Sequence, residues 1–235
     1  MTIKERIESI KERIEKAALR SGRNPSDIIL MGISKFHTIK AIEAALKEGL
    51  FLFGESRVQE AEKKIPVLRE AYPQLEFHMV GHLQRNKVKT ALKLFNGIQS
   101  LDRDEVITAL GNAAGSQDQL GWTVLLEMHT GEESKTGYPD ADSLSHAAEL
   151  VLSFPQLRLS GLMTMAPFTQ DFAVLRTSFK KLAAARDILQ RRFPNSGFSC
   201  LSMGMTNDFE TAIEEGSTLI RIGTAIFGEP YGGAV

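Results

Sequence analysis

The order of apolar and polar positions along the chain predicts a regular alternation of short strands and longer helices. Short apolar runs bounded by turn residues are typical of buried strands, whereas apolar positions three and four residues apart indicate amphipathic helices. Eight strands are predicted, near residues 28–34, 50–54, 75–80, 97–101, 122–128, 157–163, 198–204 and 217–222. Helical patterns occupy the intervals between them.

The first 22 residues come before this alternation and carry a helical pattern of their own. Thr2 is a suitable N-terminal cap, and Gly22 lies beyond the end of the pattern. Isoleucines at spacings of four, three and four lie on one helix face: Ile3, Ile7, Ile10 and Ile14. We therefore expect a helix within residues 1–22 that packs on a single domain spanning residues 1–235.

Eight strand–helix units in 235 residues fit a TIM-type (β/α)8 barrel, and a doubly wound open sheet is the alternative. The distinction matters for function because a barrel directs the C-terminal ends of all its strands to one face. Active sites of such barrels are built there, from the loops that follow the strands. The residues just after each predicted strand are therefore the first candidates for chemistry.

Composition and charge narrow the class of partner. With 43% apolar and 24% charged residues, the chain has the composition of a globular protein with a substantial core. Its formal net charge is -1, so no overall field attracts it to nucleic acid or to an anionic membrane. The basic run "RNKVKTALK" is expected to be a solvated helix face. A small-molecule partner is predicted.

The remaining compositional signals predict a cytoplasmic protein without a metal. Cys200 is the one cysteine, and its apolar surroundings favour an inert thiol in a reducing compartment. The N-terminus mixes both charge signs, so no secretory signal is expected. No apolar run approaches the ~18 residues of a membrane span. The five histidines show no metal-ligand spacing, so no metal site is predicted.

A lysine follows the first predicted strand, in the stretch "IILMGISKFHT". Lysines often end strands simply because a long side chain reaches water there. In the mouth of a barrel, however, the Lys35 amine could form a Schiff base with an aldehyde or ketone. Both interpretations of Lys35 stay open on this evidence.

Glycines and hydroxyls concentrate after the last two strands, where barrels often bind phosphate. The segment "RIGTAIFG" offers Gly223 for close approach and Thr224 as a hydroxyl, and Ser202 and Thr206 add hydroxyls from the neighbouring loop. A Gly-Thr pair after a strand is equally compatible with an ordinary turn. Together with a reactive lysine, a phosphate pocket would suit pyridoxal phosphate or a sugar phosphate. Arg221 could face a pyridine nitrogen, or it could form a salt bridge at the strand end.

Several motifs, in order over residues 28–228, resemble the YggS/PROSC family of pyridoxal phosphate homeostasis proteins, which are related to the N-terminal barrel of alanine racemase. The matching segments are "GISK" (32–35), "FGES" (53–56) with "RVQEA", "FHMVGHLQRNK" (77–87), "GEESKTG" (131–137), "GLMTMAP" (161–167), "LSMGMTNDFETAI" (201–213) and "GSTLIRIGTAIFG" (216–228). The resemblance implies a barrel that binds pyridoxal 5'-phosphate as its cofactor.

The resemblance also implies roles for individual positions. Lys35 matches the lysine that forms the internal aldimine, and Arg221 matches the residue that faces the pyridine nitrogen. The positions of Ser202, Gly223 and Thr224 match those that bind the phosphate.

Four further positions carry motif information. His78 lies in a family motif and is a candidate near the cofactor, as is Thr206, which replaces a more usual serine and keeps the hydroxyl. Ser56 replaces the asparagine of "FGEN", so a cofactor or loop contact is altered there. Met128 stands where many relatives carry asparagine.

The resemblance implies a carrier that takes part in pyridoxal phosphate homeostasis and delivers the cofactor to apo-enzymes, without catalytic residues of its own. The alternative is a racemase or a related enzyme that acts on amino acids, whereas an aldolase does not fit the motifs. A racemase needs a second acid/base group, and the available tyrosines are Tyr72, Tyr138 and Tyr231. Tyr72 is expected at the opposite end of the barrel. A barrel with no appended domain is expected to be a monomer.

Overall fold

A computed structural model gives the fold and describes residues 1–115, 121–131 and 136–229. The strands are β1 (Ile29–Ile33), β2 (Leu52–Glu55), β3 (Glu76–Met79), β4 (Gly97–Leu101), β5 (Trp122–Glu127), β6 (Leu157–Met163), β7 (Cys200–Ser202) and β8 (Leu219–Ile222). The helices are α1 (Ile3–Arg20), α2 (Ile39–Lys47), α3 (Val58–Ala71), α4 (Val88–Leu94), α5 (Asp104–Ala114), α6 (Ala141–Leu152), α7 (Phe172–Arg192), α8 (Phe209–Glu214) and α9 (Thr224–Phe227). Two 3-10 turns lie at Pro25–Asp27 and Arg85–Lys87.

The eight strands close into one parallel barrel in chain order, from β1 to β8. β8 returns to β1 in parallel register, with Ile29 opposite Leu219 and Gly32 opposite Ile222. This closure confirms the TIM-type barrel and excludes the open doubly wound sheet. The predicted strands are also confirmed, although β7 covers only Cys200–Ser202 of the predicted 198–204.

The inner face of β1 is defined by its contacts with β2. A Cβ added at Gly54 would lie 2.6 Å from Ile33 Cδ1 and 3.0 Å from Met31 Sδ, so the glycine leaves space for both side chains. Met31 is fully buried and lies opposite Arg221 in the β1–β8 register. Because side chains alternate along a strand, Met31 and Ile33 share the inner face, whereas Gly32 lies on the opposite face.

The N-terminal helix packs on the barrel next to its last two helices. Thr2 and Glu5 form a reciprocal capping box at its start, and Ile7, Ile10 and Ile14 are buried, as the pattern predicted. It contacts α8 and α9, and the Arg13 Nε donates to Glu210 Oε1 at 2.7 Å. The extent of the domain over residues 1–235 stays a prediction.

In the described residues, no helix is both long and apolar enough to cross a membrane. Cys200 is half-buried in β7, and burial raises the pKa of its thiol to about 11, which keeps it protonated at neutral pH.

Candidate functional site

Lys35 lies just beyond the C-terminal end of β1, at the mouth of the barrel, and its side chain is exposed. Its Nζ is 6.0 Å from the centre of the Phe36 ring. Phe36 has a φ of 65°, in the left-handed region that side chains other than glycine rarely adopt. Lys35 is therefore an accessible amine at a sharp turn of the backbone.

The end of β8 adjoins the end of β1 and forms a hydroxyl-bearing corner. Thr224 Oγ1 donates to Thr206 Oγ1 at 3.3 Å, so the two threonines meet across the loops that follow β7 and β8. The Gly223 carbonyl accepts from the amides of Ile226 and Phe227. The N–H groups of the first turn of a helix have no acceptor within that helix. The corner thus combines two hydroxyls with backbone donors.

Gly204 shapes the loop that carries Thr206. Its φ is +97°, and an added Cβ would lie 2.7 Å from the Ala212 Cβ and 3.0 Å from the Phe209 Cα. A residue with a side chain would be strained by both the backbone conformation and the space. Glycine at this position lets the chain turn sharply from β7 into the corner.

Arg221 lies inside the barrel and is held by three hydrogen bonds. Its Nη1 donates to the Ser202 carbonyl at 2.7 Å and to the Ser202 Oγ at 2.6 Å, and its Nη2 donates to the Thr164 carbonyl at 2.7 Å. Burial lowers the pKa of Arg221, whereas the negative charges of Glu127 and Asp208 act to raise it. A guanidinium nevertheless stays protonated, so Arg221 is a permanent donor.

Ser202, which the sequence predicts at the phosphate, forms hydrogen bonds in the interior of the barrel. Its side chain is fully buried, accepts from Arg221, and donates its single proton to Gln99 Oε1 at 2.7 Å. These bonds connect Ser202 to Arg221 on one side and to Gln99 on the other. Thr206 is the hydroxyl that pairs with Thr224.

His78 belongs to the same buried network, one step further from Arg221. Gln99 Nε2 lies 3.0 Å from His78 Nδ1, which joins His78 to Ser202 through the amide of Gln99. Burial lowers the pKa of His78 to about 4, so the ring is neutral and Nδ1 can accept. A Cβ on Gly97 would lie 2.8 Å from the His78 ring, so glycine makes room for it.

Two residues of this interior were missed by sequence reasoning. Gln99 lies in the middle of β4 and gives no motif signal. Glu127 ends β5 and is buried, and Thr136 Oγ1 donates to it at 3.3 Å. Burial, followed by repulsion from Asp102, raises the pKa of Glu127 to about 7. A carboxyl group at the C-terminal end of a barrel strand was a signal available in the sequence.

The positions that depart from the family motif lie at the rim and in the core. Ser56 is half-buried and lines a cavity of about 540 Å³ with Arg57, His82 and Lys87. Its carbonyl oxygen would be 2.3 Å from a Cβ on Gly81. Met128 is buried in the core.

The tyrosines considered as acid/base groups are placed unequally. Tyr138 is buried and its hydroxyl donates to Asp104 Oδ1 at 2.7 Å; burial, with this bond, raises its pKa. Tyr72 follows α3 and donates to Glu43 on α2 at 3.3 Å. Tyr231 and residues 132–135 of the "GEESKTG" motif lie outside the described residues. Among the described residues, no group of three or more His, Cys, Asp or Glu side chains could hold a metal ion.

Similarity to known proteins agrees with this geometry. A family model described as "Alanine racemase, N-terminal domain" matches residues 6–230. The pyridoxal phosphate homeostasis protein of Aquifex aeolicus is 39% identical over 225 residues, which cover 96% of this chain and 97% of that protein. The protein of the same name from Escherichia coli K12 is 37% identical and covers 94% of each chain.

Solved structures extend the comparison to the fold. PipY of Synechococcus elongatus, with pyridoxal phosphate bound, has a TM-score of 0.84 and 32% identity, covering 97% of this chain and all of that one (100%). An alanine racemase of Clostridium difficile has a TM-score of 0.72 at 14% identity, and this chain matches 55% of its length, which shows the fold alone.

The closed barrel, with a lysine after its first strand and a hydroxyl corner after its last, is a barrel of the alanine racemase N-terminal type. Within that class, the chain belongs to the family of YggS/PROSC pyridoxal phosphate homeostasis proteins.

Proposed function

We propose that this protein binds pyridoxal 5'-phosphate through the Lys35 amine and holds it for delivery to other enzymes. The observation that carries the proposal is the position of Lys35 on the strand end that adjoins the Thr206–Thr224 corner. Lys35 would hold the cofactor through its amine, which can condense with an aldehyde with loss of one water. When bound, the cofactor supplies an electron-withdrawing ring.

The residues present fit such a group. Two hydroxyls and the backbone amides of a turn suit a phosphate, and we assign Thr206, Gly223 and Thr224 to it. Arg221 faces the pyridine nitrogen in this proposal, oriented by Ser202 and, through Gln99, by His78. Ser56 lies at the rim beside the site. These roles agree with the sequence prediction except that Ser202 moves from the phosphate to Arg221.

We infer a carrier without catalytic residues. A racemase needs a strong electron sink and a free second acid/base group, and neither is evident among the described residues at this site. A permanently protonated guanidinium leaves a facing pyridine nitrogen without a proton, which weakens the ring as an electron sink but does not by itself exclude racemisation. The Tyr138 hydroxyl already donates a hydrogen bond to Asp104, so it is not free to act on a substrate. The names of the relatives, all homeostasis proteins, point the same way.

A residual amino-acid racemase activity is the second candidate, and Glu127 is the observation that favours it. A buried carboxyl with a pKa of about 7 is partly protonated at neutral pH and could accept or give a proton. Glu127 interacts electrostatically with Arg221, so both groups belong to the charged interior of the barrel.

The remaining features of the proposal concern partners and location. We propose a monomeric cytoplasmic protein that contacts apo-enzymes of pyridoxal phosphate transiently and has no nucleic-acid or membrane partner. The net charge of -1 supports the last point.

Borohydride reduction of the holo-protein, followed by peptide mass mapping, tests the attachment. We expect the reduced cofactor on the peptide that contains Lys35 and no such product in Lys35→Ala. A cofactor found on another lysine, with Lys35 unmodified, would exclude the proposed attachment.

A further inference from the structure

The peptide groups on both sides of Lys35 are held by side chains of one helix, α3. Lys64 Nζ donates to the carbonyl of Ser34 at 2.9 Å. Glu60 Oε1 accepts from the backbone N–H of Phe36 at 2.5 Å. The carbonyl before Lys35 and the amide after it are therefore both fixed from outside the loop, by groups four residues apart on α3.

These two side chains belong to a network of three charges. Lys64 forms ion pairs with Glu60 and, at 3.1 Å, with Glu55 Oε1, which also accepts from the Ser34 hydroxyl at 2.7 Å. Glu55 is fully buried and Lys64 nearly so. One carboxylate would suffice to neutralise Lys64. The arrangement instead ties the ends of β1 and β2 and the start of the Lys35 loop to α3.

The backbone of Phe36 shows that this attachment imposes a conformation. A φ of 65° is unfavourable for a phenylalanine, and such conformations persist only where surrounding contacts enforce them. The bond from Glu60 acts on the N–H of this residue. The centre of the Phe36 ring is 6.0 Å from Lys35 Nζ and 5.4 Å from the Arg57 guanidinium.

We propose that Glu60 and Lys64 are positioning residues for Lys35. By fixing the peptide groups on either side, they limit the directions in which the long lysine side chain presents its amine. The inference rests on the proposed function, in which Lys35 attaches the aldehyde. Neither residue touches the cofactor in this proposal.

The test measures how fast the amine attaches pyridoxal phosphate, followed by the absorbance of the C=N bond. Glu60→Ala removes the acceptor of the Phe36 N–H, and Lys64→Met removes the donor to the Ser34 carbonyl. The matched controls are Glu62→Ala and Lys63→Met, exposed neighbours on the same helix. Each test variant should attach the cofactor about tenfold more slowly or worse, as expected for a lost charge-assisted hydrogen bond. The controls should keep the wild-type rate.

Two readouts separate positioning from general loosening of the fold. The slowing should be the same for pyridoxal and for pyridoxal phosphate, because only the amine is misdirected. A loosened barrel would instead weaken the phosphate corner and affect the phosphorylated ligand more. Glu60→Gln should recover much of the rate, since its amide oxygen still accepts from the Phe36 N–H. Slow attachment in Glu60→Ala, together with a rate close to wild type in Glu60→Gln, supports positioning.

Lys64→Met leaves Glu55 buried without its cationic partner, which can destabilise the fold. The free energy of unfolding in urea is therefore measured for each variant. Glu60 is half-buried, and Glu60→Ala carries the test if Lys64→Met does not fold. A folded Glu60→Ala that attaches both ligands at the wild-type rate overturns the proposal, as does slowing confined to the phosphorylated ligand. Reduction and mapping of the wild-type protein test the attachment at Lys35 itself, so the two failures are distinguishable.

Discussion

The imidazole of His37 stacks on the ring of Phe227, with centres 4.9 Å apart and planes inclined by 30°. His37 belongs to the loop that carries Lys35, and Phe227 ends the short helix that begins at Thr224. Burial lowers the pKa of His37, so its ring is neutral at neutral pH. The contact joins the lysine loop to the hydroxyl corner across the β1–β8 seam.

Phe227→Leu should weaken this connection while keeping an apolar side chain of similar size. Aromatic pairs contribute about 0.5–1.5 kcal/mol beyond the area they bury, so we expect a loss of stability in this range. Cofactor dissociation should become faster because the two parts of the site are less firmly connected. Urea unfolding and the dissociation rate measure both effects. Unchanged dissociation in a destabilised variant would show that the contact supports the fold alone.

Thr224→Val should weaken binding of pyridoxal phosphate and leave binding of pyridoxal almost unchanged. Losing a hydrogen bond to a charged group costs about 1.5–3 kcal/mol, or roughly ten- to hundredfold in affinity. Thr206→Val should behave in the same way, since the two hydroxyls lie 3.3 Å apart. Equilibrium titration with both ligands measures the effect. Thr177→Val, on the exposed face of α7, is the matched control. An equal loss for both ligands would argue against a phosphate contact.

Ser202→Ala distinguishes the proposed role of orienting Arg221 from the phosphate contact predicted by the sequence. The variant removes the acceptor for Arg221 and the donor to Gln99, so it should affect both ligands through the orientation of Arg221. A buried hydrogen bond to a charged group is again involved, so a loss of about 1.5–3 kcal/mol in stability is expected. If instead only the phosphorylated ligand binds more weakly, Ser202 contacts the phosphate after all.

The barrel and its strand ends could be predicted because each strand is a short apolar run followed by turn residues. Lys35, Gly223 and Thr224 could be assigned to the mouth of the barrel because they lie directly after strands, where position alone indicates the face. The contacts of Ser202 could not be predicted, because its partner Gln99 is distant in sequence and a sequence pattern does not show which hydroxyl already has a hydrogen bond. The network of Glu55, Glu60 and Lys64 was missed for the same reason: its bonds connect a helix to a loop.

His78→Gln should change the pH dependence of stability. Burial disfavours the charged imidazole, so the folded pKa of about 4 lies below the ordinary 6.5. The unfolded chain therefore binds a proton that the folded chain does not, and stability falls as the pH falls from 6.5 towards 4. The difference of about 2.5 between the unfolded and folded pKa of His78 corresponds to roughly 3 kcal/mol of stability. Urea unfolding of wild type and variant at pH 7 and pH 4 isolates this contribution. The difference between the two proteins should shrink by up to that amount at pH 4. A constant difference would mean that His78 titrates normally.

Holo-protein incubated with amino acids should show no appreciable racemisation, and it should transfer its cofactor to an apo-enzyme. Arg221 is a permanent donor, and the Tyr138 hydroxyl is donated to Asp104, which raises its pKa and removes it as a base. Chiral analysis of alanine and other amino acids measures turnover. Rates of ~1 per second or more, lost in Lys35→Ala, would establish an enzyme in place of a carrier. If such turnover also falls in Glu127→Gln, the proton passes through Glu127, whose pKa of about 7 suits that role.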